Sequence, residues 1–238
     1  RSSFNLTLVK KDKINIINFL KTEGYYFSDV VASLKELDDN KVDLFYKINL
    51  GKRAKISKIS FIGDKKFKDN TLKNIIISEE YKFWKIISGK KYLNENLVNY
   101  DKRLLNNFYK NKGFYKVIIE SSFANYLGDN EFELIYNISS GKKYSFNELS
   151  LKLPVDYDSA NFNNLTLLFD GLKGQNYSLN AIDKILAEID KIVLNKQFEF
   201  LKSTVEEQID KNLINLIFNI GESEKFYVEK INIFGNNV

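Results

Sequence analysis

The side chains in this chain that are equipped for acid–base chemistry are aspartate, glutamate, lysine and tyrosine, because histidine, cysteine and methionine are all absent. That absence removes histidine-based triads, thiol nucleophiles, disulfides and Cys/His metal sites together. A few carboxylates remain to be weighed. Asp101 stands among apolar residues at helical spacing and reads either as a functional carboxylate or, as is usual on helices, as a charge paired with a nearby lysine. Glu79-Glu80 and Asp38-Asp39 have no partner, pocket or metal signature beside them, so they read as solvated turns and not as an acid/base site. Trp84 is the single tryptophan. Lone aromatics usually pack, while the flanking Lys82 and Lys85 make Trp84 a candidate partner or inter-unit contact. No catalytic residue, metal ligand or cofactor-binding residue emerges, and the chain is not expected to be an enzyme.

The elements that would position such residues follow from length and repetition. The 238 residues suit one large domain or two to three small ones, and 44% hydrophobic with 28% charged residues and one proline is ordinary globular composition. No stretch approaches the roughly 18 apolar residues of a membrane-spanning helix. The first residue is Arg1 and not Met, as expected of a partial or processed chain. The net charge of +5 is uninformative about phosphate, since all basic residues except Arg1, Arg53 and Arg103 are lysine and phosphate recognition favours arginine.

One motif occurs three times. Ile48-Asn-Leu-Gly51-Lys-Arg53 leading to Ile59-Ser-Phe61-Ile-Gly63 matches Ile138-Ser-Ser-Gly141-Lys-Lys143 leading to Leu149-Ser-Leu151, and again Ile220-Gly-Glu-Ser223-Glu-Lys225 leading to Ile231-Asn-Ile233-Phe-Gly235. A second landmark keeps step with it: Gly24-Tyr25-Tyr26, Gly113-Phe114-Tyr115 and Gln197-Phe198 each follow a stretch with helical spacing. Glycine there suits a left-handed helix end, which a Cβ would strain. Gln197 departs from that pattern. After each helix come two strand patterns, the second strictly alternating: Val42, Leu44, Tyr46, Ile48, then Phe132, Leu134, Tyr136, Ile138, then Ile214, Leu216, Phe218, Ile220. A shorter helix precedes the long one, with Asp69 as its N-cap ahead of Leu72, Ile75 and Ile76, and with Leu165, Leu168 and Phe169 in the third copy. Each complete unit therefore reads β-α-α-β-β, an α+β fold in which two helices cover one face of a three-stranded mixed sheet.

This order and register resembles the POTRA domains of the outer-membrane barrel-assembly protein BamA, and the segment Phe83-Trp84 to Tyr92 looks like the aromatic loop between the helices of that family's third unit. On that resemblance the chain is a tandem of POTRA-like units. Residues 1–52 correspond to the second helix and hairpin of a partial unit, 53–143 and 144–225 to two complete units, and 226–238 to the first strand of a further one. Gln197 and Ser223 depart from the pattern in the second complete unit. The resemblance implies a periplasmic scaffold or chaperone, tethered to the outer membrane, that receives unfolded outer-membrane β-barrel proteins, docks barrel-assembly lipoproteins and continues into a C-terminal membrane barrel. A two-partner secretion pore of the same superfamily is the alternative within this reading.

In a sheet built from β-α-α-β-β the last strand lies in the middle, which leaves residues 115–126 at an edge. Unpaired edge groups accept an added strand through main-chain bonds that ignore its sequence. The candidate edge is Lys116, Val117, Ile118, Ile119, Glu120, Ser121, Ser122 and Phe123. As an ordinary strand it would turn Val117, Ile119 and Phe123 to the core, with Lys116 and Glu120 discouraging aggregation; Ile118, on the charged face, favours binding. From another class, Gly171-Leu-Lys-Gly174 has the GxxG spacing with which KH domains clamp RNA. Against it, residues 144–225 carry 8 basic and 13 acidic side chains, a balance that repels phosphate, so no nucleic-acid partner is expected.

Overall fold

Alternating apolar residues on the second strand of each hairpin are the feature around which the chain folds. In the computed structural model, which describes residues 5–84, 88–128, 130–155, 157–195 and 201–222, that strand buries its apolar face under the helices in the second and third copies, while in the first copy it stays largely exposed. Helix α1 (Leu6–Thr22) starts at Asn5, whose side chain accepts the Thr7 N–H, and is followed by the hairpin of β1 (Asp29–Leu37) and β2 (Lys41–Asn49). Asp39 and Asn40 both take positive φ in the hairpin turn, where short polar side chains tolerate it. Little of this copy is buried: Leu20 on α1 and Val30 on β1 are, whereas Phe19, Val31, Leu34, Phe45 and Ile48 remain exposed.

The second copy runs β3 (Lys55–Asp64), α2 (Asp69–Lys73), α3 (Glu95–Lys110), β4 (Ile118–Gly128) and β5 (Glu131–Ser139). Its sheet order is β3-β5-β4, with β3 parallel and β4 antiparallel to the central β5. Ile56, Ile59 and Phe61 from β3 and Leu134, Tyr136 and Ile138 from β5 form the buried face, onto which Leu72, Val98 and Leu105 pack from the helices. The third copy repeats the plan with β6 (Ser145–Lys152), α4 (Asn163–Leu172), α5 (Leu179–Asn195), β7 (Leu201–Asp210) and β8 (Leu213–Glu222), in the order β6-β8-β7. Phe146, Ile214, Leu216 and Phe218 face Leu165, Phe169, Ile182, Ile185 and Ile189 there. The mixed three-stranded sheets and their helices are the α+β architecture the repeat implies.

Backbone contacts divide the chain into two compact units, one of residues 1–109 and 116–141 and one of residues 110–115 and 142–238. Each contains a copy of the same turn. In the first, Gly24 takes φ +89° and its carbonyl accepts the Ala54 N–H at 2.8 Å. In the second, Gly113 takes φ +95° and its carbonyl accepts the Tyr144 N–H at 2.8 Å. The left-handed helix ends expected at both glycines are present.

The short helix differs from its expectation. Helix α2 begins at Asp69 with Lys68 in the cap position and no side-chain cap bond, and it stops at Lys73, before Ile75 and Ile76. Ile75-Ile76-Ile77 is a β-branched run with restricted χ1 freedom in a helix, and the chain leaves α2 there. Gln197, Ser223 and the strand expected at 226–238 lie outside the described residues. Among the described residues no helix is long and apolar enough to cross a membrane.

Candidate functional site

The two outer strands of each sheet are treated differently by the rest of the chain. In the first unit the outer side of β3 is covered: the Tyr81 N–H donates to the Ile56 carbonyl at 2.6 Å, the Leu93 N–H to Ala54 at 2.9 Å, and the Glu80 carboxylate accepts the Ile59 N–H at 3.0 Å. In the second unit β6 is covered in the same way by the Gly174 N–H on Phe146 and the Tyr177 N–H on Tyr144, at 2.8 and 2.9 Å. Strand β4 pairs with β5 on one side, and among the described residues no strand pairs with it on the other. Its ladder is regular from Ile118 to Ala124 and then shifts register twice, between Ala124 and Tyr126 and between Tyr126 and Gly128. Bulges disrupt pairing, so the regular part of this edge is its first seven residues.

The predicted edge residues fall as follows. Val117 and Ile119 are buried on the helix side, and Ile118 is 60% exposed on the opposite face together with Glu120 and Ser122. Lys116 is exposed in the turn before the strand and Ser121 is half-buried. Phe123 is paired with Leu134 through its backbone, and its side chain lies outside the described residues. Beside the edge, on the helix side, runs an open groove of about 540 Å³ lined by Asn99, Lys102, Arg103, Asn106 and Asn107 of α3 and by Ile119.

Trp84 is not among the residues that line this groove and does not pack into the core. It is 63% exposed, with its ring 4.6 Å from that of Phe83 and the Lys82 ammonium 5.7 Å from its centroid.

Asp101 has a role that neither reading of the sequence anticipated. It is fully buried and accepts the Ile77 N–H at 2.6 Å, the Ser78 N–H at 3.3 Å and the Tyr136 hydroxyl at 2.8 Å. Irregular backbone after α2 leaves buried N–H groups that need an acceptor, and this carboxylate supplies it. Burial and the neighbouring Asp101 charge push the Tyr136 phenol well above its ordinary pKa. The signal was Asp101's place in the apolar register of α3, where a surface charge does not belong.

Two further clusters are built partly on the repeat's landmark residues Arg53, Tyr25 and Tyr115, whose contacts the repeat itself does not reveal. The Arg53 guanidinium donates through Nε and Nη2 to the Glu23 carbonyl, at 3.2 and 2.9 Å, and lies over the rings of Tyr25 and Tyr92. It thereby holds the turn at Gly24. In the second unit Glu207 of β7 accepts the hydroxyls of Tyr115 at 2.6 Å and Tyr177 at 2.8 Å. Burial first, then the bond to Glu207, pushes the Tyr115 phenol up to about 12. The GxxG segment is built into the fold as well: Gly174 takes φ +79°, its N–H is bonded to β6, and α5 starts only at Leu179, so the glycines do not open a helix N-terminus onto a phosphate.

Comparison with known proteins agrees with this architecture. Residues 54–141 match the POTRA family, described as a surface antigen variable number repeat. The outer membrane protein assembly factor BamA of Neorickettsia risticii is 25% identical over 99% of this chain and 33% of its own length, and that of Buchnera aphidicola 26% identical over 84% and 32%. The chain thus spans about a third of the length of the curated relatives it matches. Among solved structures, Haemophilus influenzae BamA POTRA3-5 superposes with a TM-score of 0.55 at 11% identity, covering 93% of this chain and 83% of that one. Residues 54–141 thus carry the POTRA match, and the chain as a whole is similar to part of the outer membrane protein assembly factors BamA.

Proposed function

We propose that this chain is the periplasmic scaffold region of an outer-membrane β-barrel assembly factor, and that it receives unfolded outer-membrane proteins as extended strands on β4. The full protein, on this reading, continues into a C-terminal membrane barrel and docks accessory lipoproteins, and it carries out no reaction and needs no cofactor or nucleic acid. One observation carries the proposal: in the first unit β3 is covered by backbone and carboxylate bonds, while β4 keeps a regular seven-residue edge with an exposed isoleucine beside it. Edge strands are normally blunted. Main-chain pairing is indifferent to sequence, which suits a receiver of many clients.

The test is an amide titration of the 238-residue chain with an uncharged ten-residue peptide of alternating valine and threonine. Binding is expected to be weak, because one strand forms few contacts and its ordering entropy must be offset. Amides of 118–124 should move more than those of 95–110, with little change between low and moderate salt. Of Glu120 and Ser121, one sends its N–H away from β5. Proline at that position removes a docking donor and leaves the internal ladder intact, so the variant should stay folded and lose the peptide. An outward proline that binds as well as the parent, or shifts confined to α3, would sink the proposal.

A further inference from the structure

The groove beside β4 is lined by two cations and three amides, and nothing in it balances the charge. Among the described residues neither Lys102 nor Arg103 has a carboxylate within ion-pair distance; Arg103 lies over the Tyr100 ring of its own helix, 5.2 Å from the centroid. The acidic groups nearby on these elements are engaged or turned away. Asp101 is buried under Ile77 and Tyr136, Glu95 accepts the Tyr26 hydroxyl, and Glu120 sits on the opposite face of β4.

The fold does not require this lining. Matching the buried positions Val98, Asp101 and Leu105 of α3 to Ile182, Ile185 and Ile189 of α5 sets Asn99, Lys102, Arg103, Asn106 and Asn107 against Asp183, Leu186, Ala187, Asp190 and Lys191. The second unit's helix therefore shows one cation and two carboxylates where the first shows two cations and none. Its strand position equivalent to Ile119 is Ser203, whose hydroxyl donates to Asp190 at 3.0 Å.

An extended segment added to β4 would turn every second side chain toward α3, at intervals of about 7 Å. Lys102 and Arg103 are adjacent, and Asn99 and Asn106 lie about one helical turn to either side, roughly 5 Å along the axis. Two successive helix-facing side chains of the added strand thus reach this row. We propose that the groove selects the strand that adds to β4, favouring extended segments with aspartate or glutamate at their helix-facing positions and disfavouring lysine there. The opposite face reinforces the orientation: Ile118 accepts an apolar side chain, and Glu120 repels an acidic one. This inference rests on the reading of β4 as the receiving edge.

The experiment uses three ten-residue peptides with valine on one face and, on the other, threonine alternating with glutamate, glutamine or lysine, each titrated into the 238-residue chain while amides 118–124 are followed. The glutamate peptide should bind about three- to tenfold more tightly than the glutamine peptide, and the lysine peptide more weakly than either, a range typical of partly exposed ion pairs. Raising salt should erase the glutamate advantage and leave the glutamine peptide unchanged. The double substitution Lys102→Glu with Arg103→Glu, at side chains outside the core, should invert the order. Equal affinities for the three peptides, or a glutamate preference that survives the double substitution, would overturn the inference and leave the edge reading standing. If no peptide moves 118–124, the edge reading falls and the inference with it. A single-stranded oligonucleotide that displaces the glutamate peptide would assign the cations to phosphate and also overturn it.

Discussion

The two complete sheets are covered by helices that solve the same packing problem with different chemistry. In the first unit a five-residue helix gives way to irregular backbone, and a buried aspartate on α3 collects the Ile77 and Ser78 N–H groups and the Tyr136 hydroxyl. In the second a ten-residue helix, α4, satisfies its own backbone, and the positions matching Asp101 and Tyr136 are Ile185 and Phe218, with Phe218 stacked on Phe169 at 5.4 Å. A buried carboxylate is costly by itself. It is retained where the neighbouring chain offers donors and is replaced by an apolar side chain where a regular helix leaves none.

Exchanging the two residues should break this pattern most severely. Ile185→Asp places a charge in an apolar site with no donors and should cost the second unit about 4 kcal/mol or more. Asp101→Ile leaves two backbone donors and a phenol unpaired and should cost the first unit about 3 kcal/mol, with Asp101→Asn milder because one acceptor survives. Urea unfolding followed by amide exchange, read separately in β5 and β8, would assign each loss to its unit. A neutral Asp101→Ile would mean that the segment after α2 rearranges freely, and the contrast would not be one of donor satisfaction.

A smaller difference separates the two glycine turns. Both have positive φ, so alanine at either should cost about 1–2 kcal/mol from backbone strain. At Gly24 the added Cβ would also lie 2.5 Å from the Leu93 carbonyl, whose residue is pinned by its bond to Ala54; at Gly113 the nearest atom is the Asn176 Cβ at 3.2 Å, a contact that a displacement of a few tenths of an ångström relieves. Gly24→Ala should therefore destabilise more than Gly113→Ala in thermal unfolding, and the reverse order would show that strain and not contact decides.

These glycines, like the central strands, were readable from the residues because period-2 alternation and a helix-ending glycine are local signals. Asp101's partners were not, since they are backbone groups of a segment whose path depends on where α2 stops. The extent of α2 was misread from Ile75 and Ile76, which have the spacing of a helix face but belong to a β-branched run. The charged groove was hidden for a different reason. Lys102 and Arg103 look like any exposed helix residues until the sheet order places an open strand next to them.

The phenol clusters extend the comparison to pH. Tyr115 and Tyr177 share Glu207 in the second unit, Tyr136 meets Asp101 in the first, and in all three burial and the carboxylate raise the phenol's pKa, to about 12 for Tyr115. A raised tyrosine pKa favours the neutral form in the folded state, so its stabilisation is complete below the unfolded value of about 10 and is lost as pH rises through 10 toward 12. Both units should weaken in that window. Tyr115→Phe should lower the second unit by about 1 kcal/mol at neutral pH, flatten its alkaline loss, and leave the first unit's profile in place. Equal effects on both units would disconnect the phenols from their local carboxylates.

The smallest effect is expected at Trp84, and it tests whether the irregular stretch of the first unit differs from the second unit's helix at its surface as well as its core. With 63% of its area exposed and its ring contacts those with Phe83 and Lys82, the indole contributes little burial. Trp84→Ala should change stability by less than about 0.5 kcal/mol, as surface substitutions usually do. Being the single tryptophan, it also reports on itself: its fluorescence in the folded chain should be that of a hydrated indole, open to iodide quenching, and should change little on unfolding. A loss of about 2 kcal/mol would be the signature of a buried aromatic. With it, or with an emission shielded from iodide, the stretch around Trp84 would be a packed element equivalent to α4, and the contrast between the two units would be confined to the pair Asp101 and Ile185.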